Sequence, residues 1–330
     1  MVHGILNVYK EKGYTSHDVV AKLRGIIGQK KIGHTGTLDP DAEGVLPVCL
    51  GKATRLCDLL TEKEKTYEAV LLLGRTTDTQ DTTGETLAVS DTEHLTEEEV
   101  RRAVLSFQGT YPQVPPMYSA LKVNGKKLYE LAREGKTVER KPRMVTIYGI
   151  EILSADLPRV RMEVKCSKGT YIRTLCQDIG ESLGCGGCME ELLRTRSGMF
   201  EIGESMKLSE ISRRKEEGTL NEKILKVDQV FRNLPAVSVK SEWEKLARNG
   251  GKLPDQAVEW MISGGSELSD RQGQVRLYDM SGQFIALYAW EDMGKSLGIV
   301  KMFSRKMKRL EDKEGIICSI SKGCRNMKVT

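Results

Sequence analysis

Aromatic residues make up only 5% of this chain, and histidine occurs four times, at His3, His17, His34 and His94. No two of these histidines have metal-ligand spacing, and no Cys/His dyad or GxSxG elbow stands out. The phosphate-cradling GxxxxGK[ST] loop is absent too. No apolar run approaches the roughly 18 residues of a membrane span. The opening MVHGILNVYKEKGY lacks the apolar core of a secretory signal. The eight cysteines are therefore not read as a disulfide framework. Cys185 and Cys188 form a CxxC without a second pair at zinc spacing, and Cys318 and Cys324 lie far off. Reduced thiols in a helix-terminal turn are expected there, in a cytosolic protein.

A length of 330 residues favours two domains. The 39% apolar and 29% charged content suits a soluble protein with an ordinary core. Lysine and arginine number 51 against 46 acidic residues, a net charge of +5. That excess points only weakly to nucleic acid, but the cations cluster, at Lys30–Lys31, Lys122 to Lys127, Arg133 to Arg143 and Lys301 to Lys313.

The stretch from Lys31 to Leu56, KIGHTGTLDPDAEGVLPVCLGKATRL, holds four glycines and two prolines. Such a run cannot be one helix. It reads as a tight loop offering His34, Thr35, Thr37, Asp39, Asp41 and Glu43, followed by a buried strand at 45–51. Around it, 4–9 reads as a strand, and a helix capped by Ser16 runs through Val19, Val20, Leu23 and Ile27 to a stop at Gly28. A short helix is expected over 52–60. Residues 65–74 form a strand with Tyr67, Ala69, Leu71 and Leu73 on one face. Residues 75–85 read as an exposed loop. Thr96 and Glu99 make a capping box for a helix to Phe107. Residues 113–117 are extended, and 119–135 read as strand, Asn-Gly turn and helix. Two more strands follow at 144–153 and 159–166, then a helix over 171–183. A hairpin with a Ser-Gly turn spans 275–290. The irregular order of strands and helices indicates an α+β fold with a mixed, largely antiparallel sheet. In CSKGTYIRTL (166–175) a strand runs into a turn and a helix start. That places Arg173 either as a surface arginine or as one reaching for a carboxylate or phosphate.

Taken in order, GHTGTLDP, AEGVLPVCLGKATR, KTYEA, YSALKVNGKKLYELAREG and CSKGTYIRTL closely resemble the bacterial TruB family of tRNA pseudouridine synthases. The likeness runs from residue 4 to about 200 and more loosely to about 303. One departure is Lys10-Glu11, where the family usually has Lys-Pro. The resemblance implies a catalytic domain over 1–233 with an RNA-clamping insertion at about 110–143. It also implies a small β-rich PUA-like domain over 236–303 and a basic tail at 304–330.

It further implies isomerisation of uridine 55 in the tRNA T-loop, without a cofactor because no redox step occurs. Asp39 matches the catalytic aspartate, Arg173 the arginine that pairs with it, in a bidentate fashion, and Tyr67 the active-site tyrosine. Tyr171 and Leu192 match positions lining the uracil pocket. His34 matches the residue that takes the place of the extruded base. Lys10 and the basic groups at 122–143 are expected to neutralise phosphates. Expected partners are the tRNA T-arm and elbow, with the acceptor stem against the C-terminal unit. A monomer needing no protein partner and no membrane is expected. The rivals are a tRNA-folding chaperone without activity and a synthase acting on rRNA or with a guide RNA.

Overall fold

The computed structural model describes residues 1–123, 125–261 and 271–304. The chain divides between Val230 and Phe231 into two compact units. The expected Asn-Gly turn, the tail from 305, and Cys318 and Cys324 involve residues outside those described.

The first unit is built on one mixed sheet. Its strands are β1 (Gly4–Lys10), β2 (Ile32–His34), β3 (Glu43–Leu50), β4 (Lys65–Leu73), β7 (Gly109–Gln113), β10 (Arg143–Asp156), β11 (Arg159–Cys166), β12 (Gly187–Ser197) and β13 (Phe200–Glu201). Between them, β5 (Arg75–Thr77) pairs β6 (Thr86–Val89), and β8 (Lys122–Val123) pairs β9 (Lys126–Lys127). The order across the main sheet is β1-β3-β12-β4-β11-β10-β7, with β2 on β3 and β13 on β12. All of its pairings are antiparallel except β12 with β3. The α+β, largely antiparallel expectation is therefore met.

The predicted face of β4 forms the core. Tyr67, Ala69, Leu71 and Leu73 are each at most 8% exposed. They pack with Val160, Met162 and Val164 of β11 and with Leu175 and Ile179 of the helix Ile172–Ser182. A second cluster joins the alternate residues of β1 and β3 to α1 (Ser16–Ile27) through Val19, Val20, Leu23 and Ile27. Alternation in strands and 3.6-residue spacing in helices put these apolar groups on one side each.

Two local expectations change, and one strand has no sequence signal. The cap of α1 is Thr15, which forms a capping box with Asp18. Ser16 is instead buried, accepting the Leu38 N–H at 2.9 Å. Residues 75–85 are not a plain exposed loop: Thr77 is 4% exposed, and Asp81 turns inward. The patterning of 187–197 announces no strand, because Glu190, Glu191, Arg194 and Arg196 break its alternation. Yet β12 lies in the middle of the sheet, between β3 and β4. The helix capped by Thr96 and Glu99 forms as expected, over Glu97–Ser106.

In the second unit, β14 (Ala236–Val239), β15 (Leu253–Pro254), β16 (Val258–Trp260), β17 (Gln274–Tyr278), β18 (Phe284–Glu291) and β19 (Ser296–Met302) form one sheet. Their order is β15-β19-β18-β17-β14-β16. The 275–290 hairpin is β17–β18, and the helix Ser241–Arg248 packs on the sheet.

Candidate active site

The loop between β2 and β3 carries Asp39, and its backbone is tied down from several sides. Thr35 N–H donates to Pro47 O at 3.1 Å, Ala42 N–H to Asp39 O at 3.2 Å and Gly13 N–H to Pro40 O at 2.9 Å. Ser16 holds Leu38 from α1. Lys10 is completely buried, and its ammonium donates to the carbonyls of Glu11, Pro40 and Ala42. That geometry corrects the phosphate-neutralising part expected of Lys10: its charge faces the underside of the loop and braces it. Burial pushes its pKa down to about 8, opposed by the nearby Asp39, Asp41 and Glu43. Gly44, at φ +104°, lets β3 approach β12 closely, since a Cβ there would stand 2.3 Å from Arg194 O.

Asp39 opens into a cavity of about 580 Å³, within the size range of small-ligand sites. Tyr67, Tyr171, Leu192, Arg173 and Arg194 line it, and Arg143 and Lys168 add positive charge. Arg173 sits at the start of its helix, 5% exposed. Its Nε lies 3.0 Å from Asp39 Oδ2. Nη1 donates to Thr79 O at 2.9 Å and meets Asp81 Oδ2 at 3.5 Å, while Nη2 donates to Tyr118 O at 2.9 Å. In place of the expected bidentate pair, then, the guanidinium is shared among the aspartate, a second carboxylate and two carbonyls. The Asp39 side chain is enclosed by protein at its base yet remains 41% exposed toward the cavity. Burial pushes its carboxyl above the usual range, and Arg173 pulls the other way.

Tyr67 and Tyr171 are both pushed up by burial. Tyr171 is held by its backbone: Gln113 Nε2 donates to Tyr171 O at 3.1 Å and Gln113 Oε1 accepts Tyr171 N–H at 2.8 Å. The same amide donates to Tyr111 Oη at 2.6 Å. His34 is not among the residues lining the cavity. It stands on β2, with Nδ1 3.3 Å from Gly36 O and its ring edge-on to His17 at 5.2 Å. Burial lowers its pKa, which favours the neutral ring. Asp41 is exposed, and Glu43 accepts the Tyr9 hydroxyl at 3.2 Å. Cys185 and Cys188 are buried thiols, and burial pushes Cys188 up to about 11.

Three groups of this site escaped the sequence: Asp81, Gln113 and Arg194. Each touches the cavity machinery through a fold contact more than 20 residues away in the chain. The Thr/Asp-rich run at 75–85 was the one visible sign of Asp81, and it resembles an ordinary turn.

Residues 24–172 match the N-terminal domain model of TruB family pseudouridylate synthases, and 173–232 match the C-terminal domain model of tRNA pseudouridylate synthase B. These matches define a pseudouridylate synthase. The tRNA pseudouridine synthase B of Lachnoclostridium phytofermentans is 51% identical over 92% of this chain and all of that protein. That of Clostridium novyi is 50% identical over 87% of this chain and 95% of its own length. The chain belongs to the TruB family. Solved structures are similar as well. An H/ACA ribonucleoprotein bound to a substrate RNA containing 2′-deoxyuridine aligns at 26% identity and a TM-score of 0.66, over 92% of this chain and 86% of that one. A Cbf5–Nop10–Gar1 complex aligns at 28% identity and a TM-score of 0.67, with the same coverage.

Proposed function

We propose that the protein isomerises uridine 55 in the T-loop of tRNA to pseudouridine, with Asp39 as the essential carboxylate. The observation that carries this reading is the Asp39–Arg173 pair, open to a cavity walled by Tyr67, Tyr171 and Leu192. The substrate class follows from relatives about half identical in sequence that are named as tRNA enzymes. The H/ACA neighbours share less sequence, so work inside a ribonucleoprotein is the weaker fit.

The reaction breaks N1–C1′, rotates the base and joins C5 to C1′. One proton leaves C5 and one arrives at N1, so the sum is an isomerisation that needs no cofactor. A base inside a folded T-loop must first leave its stack. Tyr171 and Leu192 give it a slot with little water. His34, neutral and planar, fills the gap left behind in the loop. Asp39 attacks the base or the ribose, or removes a ribose proton. Arg173 favours its ionised form, against the burial that raises its pKa. Tyr67 stacks on the uracil and assists removal of the C5 proton.

The insertion at about 110–143 clamps the RNA. Lys122, Lys126, Arg133, Lys136, Lys141 and Arg143 are exposed there and neutralise phosphates. The second unit acts as a PUA-like domain against the acceptor stem. The protein works as a monomer in the cytoplasm. No helix among the described residues is long and apolar enough to cross a membrane.

The test is to incubate the protein with an unmodified T-arm stem-loop and with the same RNA carrying cytidine at position 55. Pseudouridine in the first and none in the second is expected. Tight binding of the first without product would instead favour an RNA-folding chaperone.

A further inference from the structure

Arg194 is among the largest fully buried side chains of the described residues, at 1% exposure. It projects from β12, in register with Tyr67 on one side and Gly44 on the other. Its Nε donates to Val45 O at 2.7 Å, and its Nη1 reaches Thr37 O at 3.5 Å. Both acceptors are neutral carbonyls on the strand and loop around Asp39. Arg173 has Asp39 and Asp81 as counter-ions. Arg194 has no carboxylate within 4.0 Å among the described residues. Its Nη2 is enclosed without an acceptor.

Holding two carbonyls requires a donor, and a neutral amide would supply one. A guanidinium also brings a charge that persists at every working pH. A buried charge without a counter-ion, and an enclosed donor without an acceptor, both cost stability. Such a cost is tolerated where the charge is wanted in another state of the site. Its cross-strand neighbour on β4, lining the same cavity, is Tyr67. Burial pushes that phenol up, Arg194 is the foremost influence pulling it down, and Cys166 and Asp39 act upward.

We propose that Arg194 is a positioning residue that works through Tyr67, its fixed charge stabilising the phenolate that takes the C5 proton. This rests on the reading of Tyr67 given above. In the step, the phenol has released its own proton to solvent. The phenolate oxygen then takes the proton from C5. The C5–H electron pair forms C5=C6 as a pair leaves C6: the C6=N1 pair moves onto N1 or, where Asp39 is bonded to C6, the C6–O pair returns to the carboxylate. N1 gains its proton from water.

The test is a double-mutant cycle on single-turnover pseudouridine formation, using Arg194→Met, Tyr67→Phe and both together. Thermal midpoint and T-arm affinity serve as checks on folding. Arg194→Met is expected to slow the wild type on the order of 10²-fold, the scale of one lost donor to developing negative charge. In the Tyr67→Phe background it slows the reaction only a few-fold further, because the two residues act as a unit. Equal losses in both backgrounds would make Arg194 a loop brace and overturn the proposal. A full rate from Tyr67→Phe would remove the role of Tyr67 instead, a separate result. Should Arg194→Met fail to fold, Arg194→Gln, which keeps an amide donor without the charge, takes its place in the same cycle, and Arg194→Lys, which keeps a cation, is expected to retain most of the wild-type rate. Equal losses for Arg194→Gln in both Tyr67 backgrounds would overturn the proposal.

Discussion

Asp39 and Arg173 meet through a single guanidinium nitrogen, Nε, 3.0 Å from Oδ2, while both Nη atoms are held by other groups. The arginine is therefore fixed before substrate arrives. Its carbonyl partners, Thr79 and Tyr118, lie on two different connections, so positioning of the carboxylate depends on distant parts of the chain.

The first prediction follows from the pKa balance. Burial raises Asp39 and Arg173 opposes it. Removing the cation in Arg173→Met leaves burial opposed only by the more distant Lys10, so the carboxyl protonates at higher pH. The acidic limb of the pH–rate profile should shift upward, and the plateau rate should fall by about 10²–10³-fold. Arg173→Lys should also be impaired, since a lysine cannot reach Asp39 while holding both carbonyls. Single-turnover rates from pH 5 to 8 would check both.

Asp81 should behave as a support for Arg173. Asp81→Asn keeps the shape but removes the charge 3.5 Å from Nη1. A rate loss on the order of ten- to a hundredfold is expected, the scale of one hydrogen bond to a charged group. T-arm affinity should change little, since Asp81 lies behind Arg173, with its side chain 14% exposed.

Lys10 gives a stability prediction with a defined pH window. Its folded pKa, about 8, lies below its ordinary value of 10.5. Between those values the unfolded chain binds more protons, so the Lys10 contribution to stability rises as pH increases from about 8 to 10.5. Below pH 8 the cost of burying the ammonium is fully present. Lys10→Met should lack this rise and be destabilised by about 1–3 kcal/mol, because the Glu11, Pro40 and Ala42 carbonyls lose their donor. Denaturant titrations of both proteins at pH 7 and pH 9.5 would measure the widening gap.

The clamp prediction concerns salt. Lys122 and Lys141 are exposed on the insertion. Replacing either with alanine should reduce the slope of log K against log salt for T-arm binding by about 1, with little change in the single-turnover rate at saturating RNA.

Much of this was legible in the sequence because it was local. The alternation of Tyr67, Ala69, Leu71 and Leu73 gave the core face of β4, and Thr96 with Glu99 gave a helix start. The order of motifs pointed to Asp39, Tyr67 and Arg173, and the fold gathers them at one cavity. What stayed hidden was set by tertiary contacts. β12 carries charged residues at the centre of a sheet, because Arg194 is buried beneath the loop and Glu190 and Glu191 pair with Arg159 and Arg161 of β11. Lys10 looked like a surface cation, yet the loop folds over it. Ser16 looked like the helix cap, but Thr15 takes that place and frees Ser16 to hold Leu38.

The central claim is that Asp39 carries the chemistry. Its most direct test is the yield of pseudouridine from an unmodified T-arm stem-loop incubated with equal amounts of wild type and Asp39→Asn, after both are shown to bind the RNA equally. Wild type should convert the uridine at position 55, and the variant should give no product even at long times. Pseudouridine from Asp39→Asn at a rate near that of wild type would contradict the account.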